Sequence, residues 1–326
     1  MSDTELDLMH AYRLMLLART IDEREWMLNR QGKVPFVVSC QGQEAAQVGM
    51  ALALRPGVDH VLPYYRDIAL VLALGMTPYE LFLNLFAKAD DPNSGGRQMP
   101  NHWAHPKWNI YSHSSPVATQ IPQAAGVALA SRLKGEDAVT LVTFGEGATS
   151  KGDFHEALNF AGIHNLPVIF ACENNRYAIS VPQVKQMAID NVADRAPAYG
   201  MAGEVVDGQD VEAVYEATRR AVARARTGDG PTLLELKTYR LVPHTSDDDD
   251  RRYRAREEVA EWKERDPVLL LKARLIEQDL WDAERDQALR EEIFQQVTDA
   301  QKAAEAAPDP EPGDVGRHVF YEEIRD

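Results

Sequence analysis

The fold is decided by residues 138–178, which read AVTLVTFGEGATSKGDFHEALNFAGIHNLPVIFACENNRYA. Two apolar runs of strand length, residues 138–144 and 167–172, lie on either side of a stretch with helical periodicity. Continuous apolar runs are typical of parallel strands that are buried on both faces of a sheet. Asp153 and Glu156 have the spacing of a capping box, which predicts the start of the intervening helix. The segment therefore predicts a strand–helix–strand unit.

Similar elements continue this pattern along the rest of the chain. A third strand is predicted at residues 231–239, and Asp210 is placed to cap the helix before it. Further helices are predicted at residues 5–30, 43–54, 77–86, 121–133, 255–275 and 281–305. The sequence 77–80 also has the spacing of a capping box, and Gly135 is placed to end the helix before it. The alternation predicts an α/β fold with a doubly wound parallel sheet. We expect three parts: an N-terminal helical arm (residues 1–40), a central α/β domain (41–254), and C-terminal helices with a tail (255–326).

The composition argues against several classes of protein. The chain of 326 residues has 51 acidic and 35 basic side chains and a net charge of -16, whereas general nucleic-acid binding needs a basic surface. Cys40 and Cys172 lack the spacing of a metal site and fit a reducing compartment. The longest apolar run, residues 68–74, is too short for a bilayer, and the acidic N-terminus does not resemble a signal peptide. We therefore expect a cytoplasmic protein that binds neither nucleic acid nor membrane.

Polar residues follow the first two predicted strands at the points where these strands end. Glu146 lies in a Gly-Glu-Gly turn after the first strand, and Asn175 follows the second, one crossover later. Ligands of open parallel sheets bind beyond the carboxyl ends of the strands. A small number of oxygen ligands suits Mg²⁺, which completes its shell with water and phosphate oxygens. The alternative is a tight turn and a polar loop that share a sheet edge without binding a metal.

The combination of Gly145, Glu146 and Gly147 with Asn174 and Asn175 is similar to the thiamine diphosphate fingerprint. The whole quoted segment resembles the alpha subunit of the first, decarboxylating component of the 2-oxoacid dehydrogenase complexes. Further motifs extend this resemblance from about residue 11 to about residue 254: GQEA (42–45), YYRD (64–67), GGRQMPNH (95–102), SSPVATQIPQAAG (114–126) and YRLVPHTSDDDDRRYR (239–254). The sequences GEG and SSPVATQIPQ look more like the branched-chain members than the pyruvate members.

The resemblance implies a role for each residue that matches a family motif. The magnesium ligands would be the side chains of Glu146 and Asn175 and the backbone carbonyl of Tyr177. The other residues expected to contact thiamine diphosphate are Tyr65, Arg66, Ser115, Val117, Gly145, Gly147, Ala148 and His244. A potassium site of the branched-chain members would comprise Ser114, Pro116, Thr119 and Gln120. The alternative for that last segment is a loop that caps the following helix.

His244 is the catalytic candidate, since it matches a histidine on a mobile loop beside the thiazolium ring. An imidazole there can bind phosphate and help to deliver the acyl group to a lipoyl acceptor. Thr245 and Ser246 lie in the region where some complexes of this type are phosphorylated, which would add charge next to the cofactor's phosphates. The acidic run 247–250 and the arginines after it are either a solvated charge run or, as we favour, a self-paired regulatory loop.

Two positions depart from the usual pattern of thiamine enzymes. Glu146 replaces the more frequent aspartate, although branched-chain relatives share the glutamate and its extra methylene still permits ligation. Glu173 lies where relatives often carry glutamine or arginine. Because a carboxylate facing a diphosphate would repel it, we expect Glu173 to point away or to pair with Arg176 or Arg66.

The chain has no convincing candidate for the glutamate that activates the cofactor's aminopyrimidine ring. In two-chain members the beta subunit supplies this residue, so the resemblance implies a half-site completed in an alpha–beta heterotetramer. The lipoyl acyltransferase core would be a further partner, and the substrate a small 2-oxoacid. Branched-chain acids are favoured, with a pyruvate or acetoin dehydrogenase as the alternative. A nicotinamide-dependent dehydrogenase, disfavoured because Ser150 interrupts the G-x-G-x-x-G pattern, and a non-catalytic scaffold are the remaining rivals.

Overall fold

The structure, a computed structural model, describes residues 5–317, so the first four and last nine residues of the predicted outer parts lie outside the described residues. The strands in this range are β1 His60–Leu62, β2 Thr140–Gly145, β3 Val168–Asn174, β4 Tyr177–Ala178, β5 Val181–Pro182, β6 Ala202–Asp207 and β7 Thr232–Lys237. Five of them form one parallel sheet in the order β1–β2–β3–β7–β6. The short strands β4 and β5 pair as an antiparallel hairpin.

The helices alternate with these strands along the chain. Their bounds are α1 Leu8–Arg30, α2 Glu44–Leu52, α3 Ile68–Leu74, α4 Pro78–Leu85, α5 Gln120–Lys134, α6 Gly152–Ile163, α7 Gln183–Gln186, α8 Val211–Arg226, α9 Arg256–Lys263, α10 Pro267–Glu277 and α11 Ala283–Glu305. Short 3₁₀ turns occupy Pro106–Trp108, Glu146–Ser150, Val192–Tyr199, Asp250–Arg252 and Pro312–Gly316. None of the helices within residues 5–317 combines the length and apolar character that a membrane crossing demands.

Helices cover both faces of the sheet, as the doubly wound pattern predicts. Alternate residues of β2 point to opposite faces. Leu141 belongs to the apolar cluster built with α1, α2 and α8, whereas Val142 belongs to the cluster built with α5 and α6. Burial of the strands on both faces explains why they appear in the sequence as continuous apolar runs. The predicted fold class is confirmed.

The N-terminal and C-terminal helices pack together on one side of this sheet. Helix α1 contacts α2, α3, α10 and α11. The Arg19 guanidinium of α1 bonds to the Glu44 carboxylate at 2.6 Å and to the Asp266 carboxylate at 2.7 Å. Because Glu44 begins α2 and Asp266 caps α10, this largely buried ion pair network fixes three helices relative to one another.

The predicted helix ends are confirmed in three cases and wrong in one. In the structure Thr77 and Glu80 form both hydrogen bonds of a capping box, Asp210 caps α8, and Gly135 ends α5 in the left-handed conformation. The capping box predicted at Asp153 is wrong, because α6 begins at Gly152 and places Asp153 inside the first turn. A carboxylate in the first turn still favours a helix through its dipole, which explains the misleading signal.

The structure also differs from the sequence prediction at one helix and two strands, whose sequence patterns are weak. The helix predicted at residues 255–275 is divided into α9, which ends at Lys263, and α10, which begins at Pro267. Proline has no backbone N–H and disfavours a helical conformation in the residue before it, so it begins a helix more readily than it continues one. Strand β1 is too short to form a pattern, and β6 alternates between exposed and buried positions at the edge of the sheet. The sequence did not predict either strand.

The sheet topology determines where a ligand can bind. Strands β2 and β3 are parallel neighbours, with Gly145 opposite Glu173 at their carboxyl ends. The residues that follow each strand therefore emerge side by side.

Candidate active site

A cavity of about 430 Å³ opens at the carboxyl ends of β2 and β3. Every residue that the sequence predicted to contact thiamine diphosphate or magnesium lines it: Tyr65, Arg66, Ser115, Val117, Gly145, Glu146, Gly147, Ala148, Asn175, Tyr177 and His244. The chain thus brings together residues that are up to about 180 positions apart in sequence. Their roles toward a cofactor stay predictions.

Glu146 and Asn175 are in direct contact at the base of this cavity. The backbone N–H of Asn175 donates to Glu146 Oε2 at 3.2 Å. The second oxygen, Oε1, is buried and has no hydrogen-bond partner among the described residues. Burial raises the pKa of Glu146 to about 7. A buried carboxylate oxygen without a partner is costly unless a cation or a proton compensates it, which makes this oxygen a candidate metal ligand.

The turn that carries Glu146 is held in place by side chains from other elements. Gln186 of α7 donates through Nε2 to the Glu146 carbonyl at 2.8 Å, and the Thr149 hydroxyl donates to the same oxygen at 2.7 Å. A side chain at Gly147 would place its Cβ 2.7 Å from the Ala178 Cβ. Glycine is therefore required where β4 crosses the turn.

The two consecutive asparagines have different tasks. Asn174 donates to Glu235 of β7 at 2.6 Å and to Gln183 at 2.9 Å, and so ties the sheet to α7. Asn175 donates through Nδ2 to Gln43 at 3.4 Å, while its Oδ1 accepts from the backbone N–H of Tyr177 at 3.3 Å. The side-chain oxygen of Asn175 is thereby oriented, and a second lone pair remains for a ligand.

Arg66 and His244 meet on the opposite wall of the cavity. Arg66 Nη2 lies 2.7 Å from His244 Nδ1 and donates to the His244 carbonyl at 2.9 Å, while Nη1 donates to the Ser39 carbonyl at 2.9 Å. Burial and the nearby guanidinium groups lower the pKa of His244 to about 3, so its ring is neutral at pH 7. Because arginine only donates, Nδ1 is the acceptor and Nε2 carries the ring proton.

Arg240 also lines the cavity, although the sequence predicted no role for it. Its guanidinium is buried and donates to the backbone carbonyls of Tyr177 at 3.2 Å and Ile179 at 2.7 Å, and to the Tyr253 hydroxyl at 3.0 Å. Burial and the charge of Arg66 lower the pKa of Arg240 to about 10. Two guanidinium groups thus face one cavity, which makes this wall attractive to an anion.

His102 is a second cavity residue for which the sequence predicted no role. Its Nε2 lies 2.6 Å from the Ser115 hydroxyl, and its Nδ1 lies 3.1 Å from the Pro100 carbonyl. The His113 ring stacks on it with centroids 4.7 Å apart, and burial lowers the pKa of His113 to about 3. His102 belongs to the quoted motif GGRQMPNH, and Arg240 belongs to YRLVPHTS, so both motifs contained the signal that was missed.

Glu173 points away from the cavity, which is one of the two arrangements expected. It accepts from Gln47 at 3.0 Å and from the Tyr64 hydroxyl at 3.3 Å, and neither Arg176 nor Arg66 is its partner in the described chain. Burial and the nearby Asp67 carboxyl raise its pKa well above the usual range. An arginine partner is therefore not needed, because the carboxyl points away from the place where a diphosphate would bind.

The segment after Ser114 forms a compact group of oxygen atoms. The Ser114 hydroxyl and Thr119 Oγ1 hydrogen-bond to each other, and both lie within hydrogen-bond distance of the Pro116 carbonyl, at 3.1 and 2.9 Å. Gln120 instead donates to the Thr143 carbonyl at 3.0 Å. Three of the four predicted potassium ligands are thus close together, and Thr119 does not cap α5 through its side chain.

The acidic run 247–250 is largely paired with its own neighbours. Asp249 bonds to Arg251 at 2.6 Å, and Asp250 bonds to Arg254 at 2.5 Å. Asp248 accepts from the backbone N–H of His244 at 2.8 Å and from the Tyr253 hydroxyl at 2.5 Å. The predicted self-pairing is confirmed, while its regulatory role stays a prediction.

Comparison with known proteins decides the family. Residues 12–313 match the family model described as dehydrogenase E1 component. The 2-oxoisovalerate dehydrogenase subunit alpha of Bacillus subtilis is 55% identical, over 97% of this chain and 96% of its own length. The 3-methyl-2-oxobutanoate dehydrogenase subunit alpha of Mycobacterium tuberculosis is 39% identical (95% and 82%), and the pyruvate dehydrogenase E1 component subunit alpha of Bacillus subtilis is 38% identical (98% and 84%). The chain belongs to the dehydrogenase E1 component family.

Membership of the dehydrogenase E1 component family makes the chain part of an enzyme and implies thiamine diphosphate as the cofactor. The finding confirms the resemblance seen in the sequence. It decides against both a nicotinamide-dependent dehydrogenase and a non-catalytic scaffold.

The residues of the cavity fit the cofactor that the family implies. A diphosphate requires positive charge and backbone donors, which Arg66, Arg240 and the glycine turn provide. Within residues 5–317 no cluster of three or more His, Cys, Asp or Glu side chains forms a metal cage. One carboxylate and one amide instead suit Mg²⁺, which takes phosphate oxygens as further ligands.

Proposed function

We propose that the chain is the alpha subunit of a branched-chain 2-oxoacid dehydrogenase, which binds thiamine diphosphate through Mg²⁺. The observation that carries this proposal is the unpartnered Glu146 Oε1, which lies beside the oriented Asn175 amide. Glu146, Asn175 and the Tyr177 carbonyl would hold the ion, as the family pattern implies. The arginine wall and the backbone of Gly145, Gly147 and Ala148 would face the diphosphate, and Tyr65, Ser115 and Val117 its remaining parts.

Bound thiamine diphosphate supplies the carbanion-stabilising chemistry that a 2-oxoacid decarboxylation needs. The task of this chain is to bind and orient it. His244, held neutral by burial, presents an Nε2–H to the cavity and can donate a hydrogen bond to a phosphate or an acyl oxygen. Its backbone contact with Arg66 keeps the imidazole beside the anion-binding wall.

We infer that the active site is completed by a beta subunit. Glu146 is the one carboxylate among the described residues that line the cavity, and it lies next to Asn175, where we propose that it binds the metal. The acid that activates the aminopyrimidine ring therefore comes from a partner chain. An alpha–beta heterotetramer that passes its acyl group to a lipoyl acyltransferase core in the cytoplasm fits this requirement.

Two further assignments belong to the same proposal. The oxygen group of Ser114, Pro116 and Thr119, with Gln120, would bind K⁺ and so hold Ser115 beside the cofactor. The division into a helical arm (1–40), a cofactor domain (41–254) and C-terminal helices (255–326) describes the organisation we propose. The first and last of these parts would support the central one through the Arg19 network.

The apolar part of the cavity supports a branched aliphatic substrate. Its wall includes Phe36, Val38, Met99, Val117 and Ile179, which suits a side chain larger than a methyl group. A second candidate is pyruvate, because a pyruvate dehydrogenase subunit is among the similar proteins.

Steady-state kinetics of the purified alpha–beta pair test the substrate assignment. We expect kcat/KM for 2-oxoisovalerate to exceed that for pyruvate by at least about tenfold, since each buried methyl group contributes roughly 1 kcal/mol. A pair that decarboxylates pyruvate faster than 2-oxoisovalerate contradicts the branched-chain proposal and favours the pyruvate alternative.

A further inference from the structure

Helix α9 reaches the underside of the cofactor cavity through one acidic side chain. The Glu258 carboxylate accepts hydrogen bonds from the Tyr177 hydroxyl, at 2.9 Å to Oε2 and 3.0 Å to Oε1. It also accepts from the Tyr239 hydroxyl at 3.0 Å. Glu258 thus joins two aromatic side chains from different segments: Tyr177 lies in the β4–β5 hairpin after β3, and Tyr239 lies in the segment after β7.

Both tyrosines are directly connected to groups of the cavity. The Tyr177 carbonyl accepts from Arg240 Nη1 at 3.2 Å, and Tyr239 immediately precedes Arg240 in the chain. Fixing the two rings therefore fixes the carbonyl and the guanidinium relative to each other. Neither group touches Glu258 itself.

The surrounding packing makes this arrangement rigid. The Tyr239 ring stacks on Trp262, also from α9, with centroids 4.9 Å apart and an interplanar angle of 2°. The Arg254 guanidinium lies over the rings of Tyr177 and Tyr239 at 5.8 and 5.3 Å. Both tyrosines are buried, so a hydroxyl deprived of its acceptor would be left without compensation.

We infer that Glu258 is a positioning residue of the magnesium–diphosphate site, which holds the Tyr177 carbonyl and the Arg240 guanidinium in the arrangement that the bound cofactor requires. The inference rests on the proposed function, because it takes these two groups as contacts of the metal and the diphosphate. It assigns a cofactor-binding task to the C-terminal segment, which the sequence placed outside the cofactor domain.

Three variants of the full-length alpha subunit, each combined with its beta subunit, test the inference by calorimetric titration with thiamine diphosphate and Mg²⁺. Glu258→Ala should weaken binding by roughly tenfold or more, because two tyrosine hydroxyls lose their charged acceptor. Glu258→Gln retains an acceptor oxygen and should recover most of the affinity. Glu257→Ala is the matched control, since Glu257 is exposed in the same first turn of α9 and should bind as the wild type does.

The two tyrosines provide a second test that does not depend on the alanine variant folding. Tyr177→Phe and Tyr239→Phe each remove one donor and should each weaken cofactor binding by a few-fold. Where Glu258→Ala folds, combining it with either change should add less than the sum of the single effects, because the alanine has already removed the same contact. The melting temperature of the cofactor-free pair should change little in both phenylalanine variants.

The outcomes separate this inference from the function on which it rests. Wild-type affinity in Glu258→Ala and in both phenylalanine variants overturns the inference alone. An equal loss of affinity in Glu257→Ala, or no recovery of affinity in Glu258→Gln, also overturns the inference. The loss would then not depend on the hydrogen bonds between Glu258 and the two tyrosines. A wild-type pair that shows no magnesium-dependent binding overturns the proposed function and the inference together.

Discussion

In the site that we propose, the unpartnered oxygen of Glu146 would link the protonation of this side chain to cofactor binding. Burial raises the pKa of Glu146 to about 7, whereas a metal ligand must be deprotonated. Binding of Mg²⁺ and thiamine diphosphate should therefore release a proton near neutral pH. We expect the affinity to fall by up to about tenfold for each pH unit below 7.

Calorimetric titrations in buffers of different ionisation enthalpy measure the released protons. Comparing wild type with Glu146→Gln at saturating magnesium cancels the protons that belong to the diphosphate itself. Equal proton release from both proteins contradicts the assignment. In the metal-free chain, folding and metal binding depend on pH in opposite directions. The contribution of protonated Glu146 to the free energy of unfolding is complete below about pH 4.5 and is lost as the pH rises through 7.

Substitution of Arg240 tests whether the second guanidinium of the cavity contributes to cofactor binding. Its fork donates simultaneously to the Tyr177 and Ile179 carbonyls and to Tyr253. Lysine keeps the charge but loses this geometry. Arg240→Lys should weaken thiamine diphosphate binding by about tenfold, since the preorganised donors are lost. Arg252→Lys, which changes an exposed arginine of the same loop, is the control. Unchanged affinity in Arg240→Lys would show that Arg240 has only a structural task.

At the scale of elements, the loop after β7 is held closed by one aspartate. Asp248 accepts from the His244 backbone and from the Tyr253 hydroxyl, and hydrogen bonding by Tyr253 and His244, with the charge of Arg240, lowers its pKa despite partial burial. Asp248→Ala should release the loop, so that trypsin cleaves more rapidly after the exposed residues Arg251 and Arg252. Limited proteolysis followed by mass spectrometry measures the cleavage.

Asp247→Ala is the matched control for this experiment, because the Asp247 side chain lies outside the contacts just described and is exposed. Faster cleavage in Asp248→Ala than in Asp247→Ala supports a loop closed by Asp248. Equal cleavage rates in the two variants contradict it.

The elements also show how far the sequence can predict such a protein. Strands β2 and β3 were predictable because burial on both faces makes them continuously apolar, and this placed Glu146 and Asn175 at one sheet edge. Strand β1 has three residues and β6 is half exposed, so neither produces a periodic signal. Glu258 was missed for another reason, since its contacts with Tyr177 span 81 positions and no local pattern encodes them.

At the scale of the whole molecule, we propose that the chain builds one wall of an active site and that a beta subunit supplies the acid that activates the cofactor. The cavity combines the base that we propose to bind the metal, a cationic wall and an apolar wall, and the one carboxylate among the described residues that line it belongs to this base. Such a site is expected to bind the cofactor firmly only when the beta subunit closes over it. The family explains this division, because its alpha subunits act as components of larger enzymes.

The central claim is tested most directly by titrating thiamine diphosphate into the alpha–beta pair with and without Mg²⁺, for the wild type and for Glu146→Gln. We predict magnesium-dependent binding by the wild-type pair and much weaker binding by the alpha subunit alone. Glu146→Gln should reduce the affinity by at least about tenfold, the loss typical of removing even an outer-shell group around a metal. Magnesium-independent binding, or an unchanged affinity in Glu146→Gln, would contradict the account.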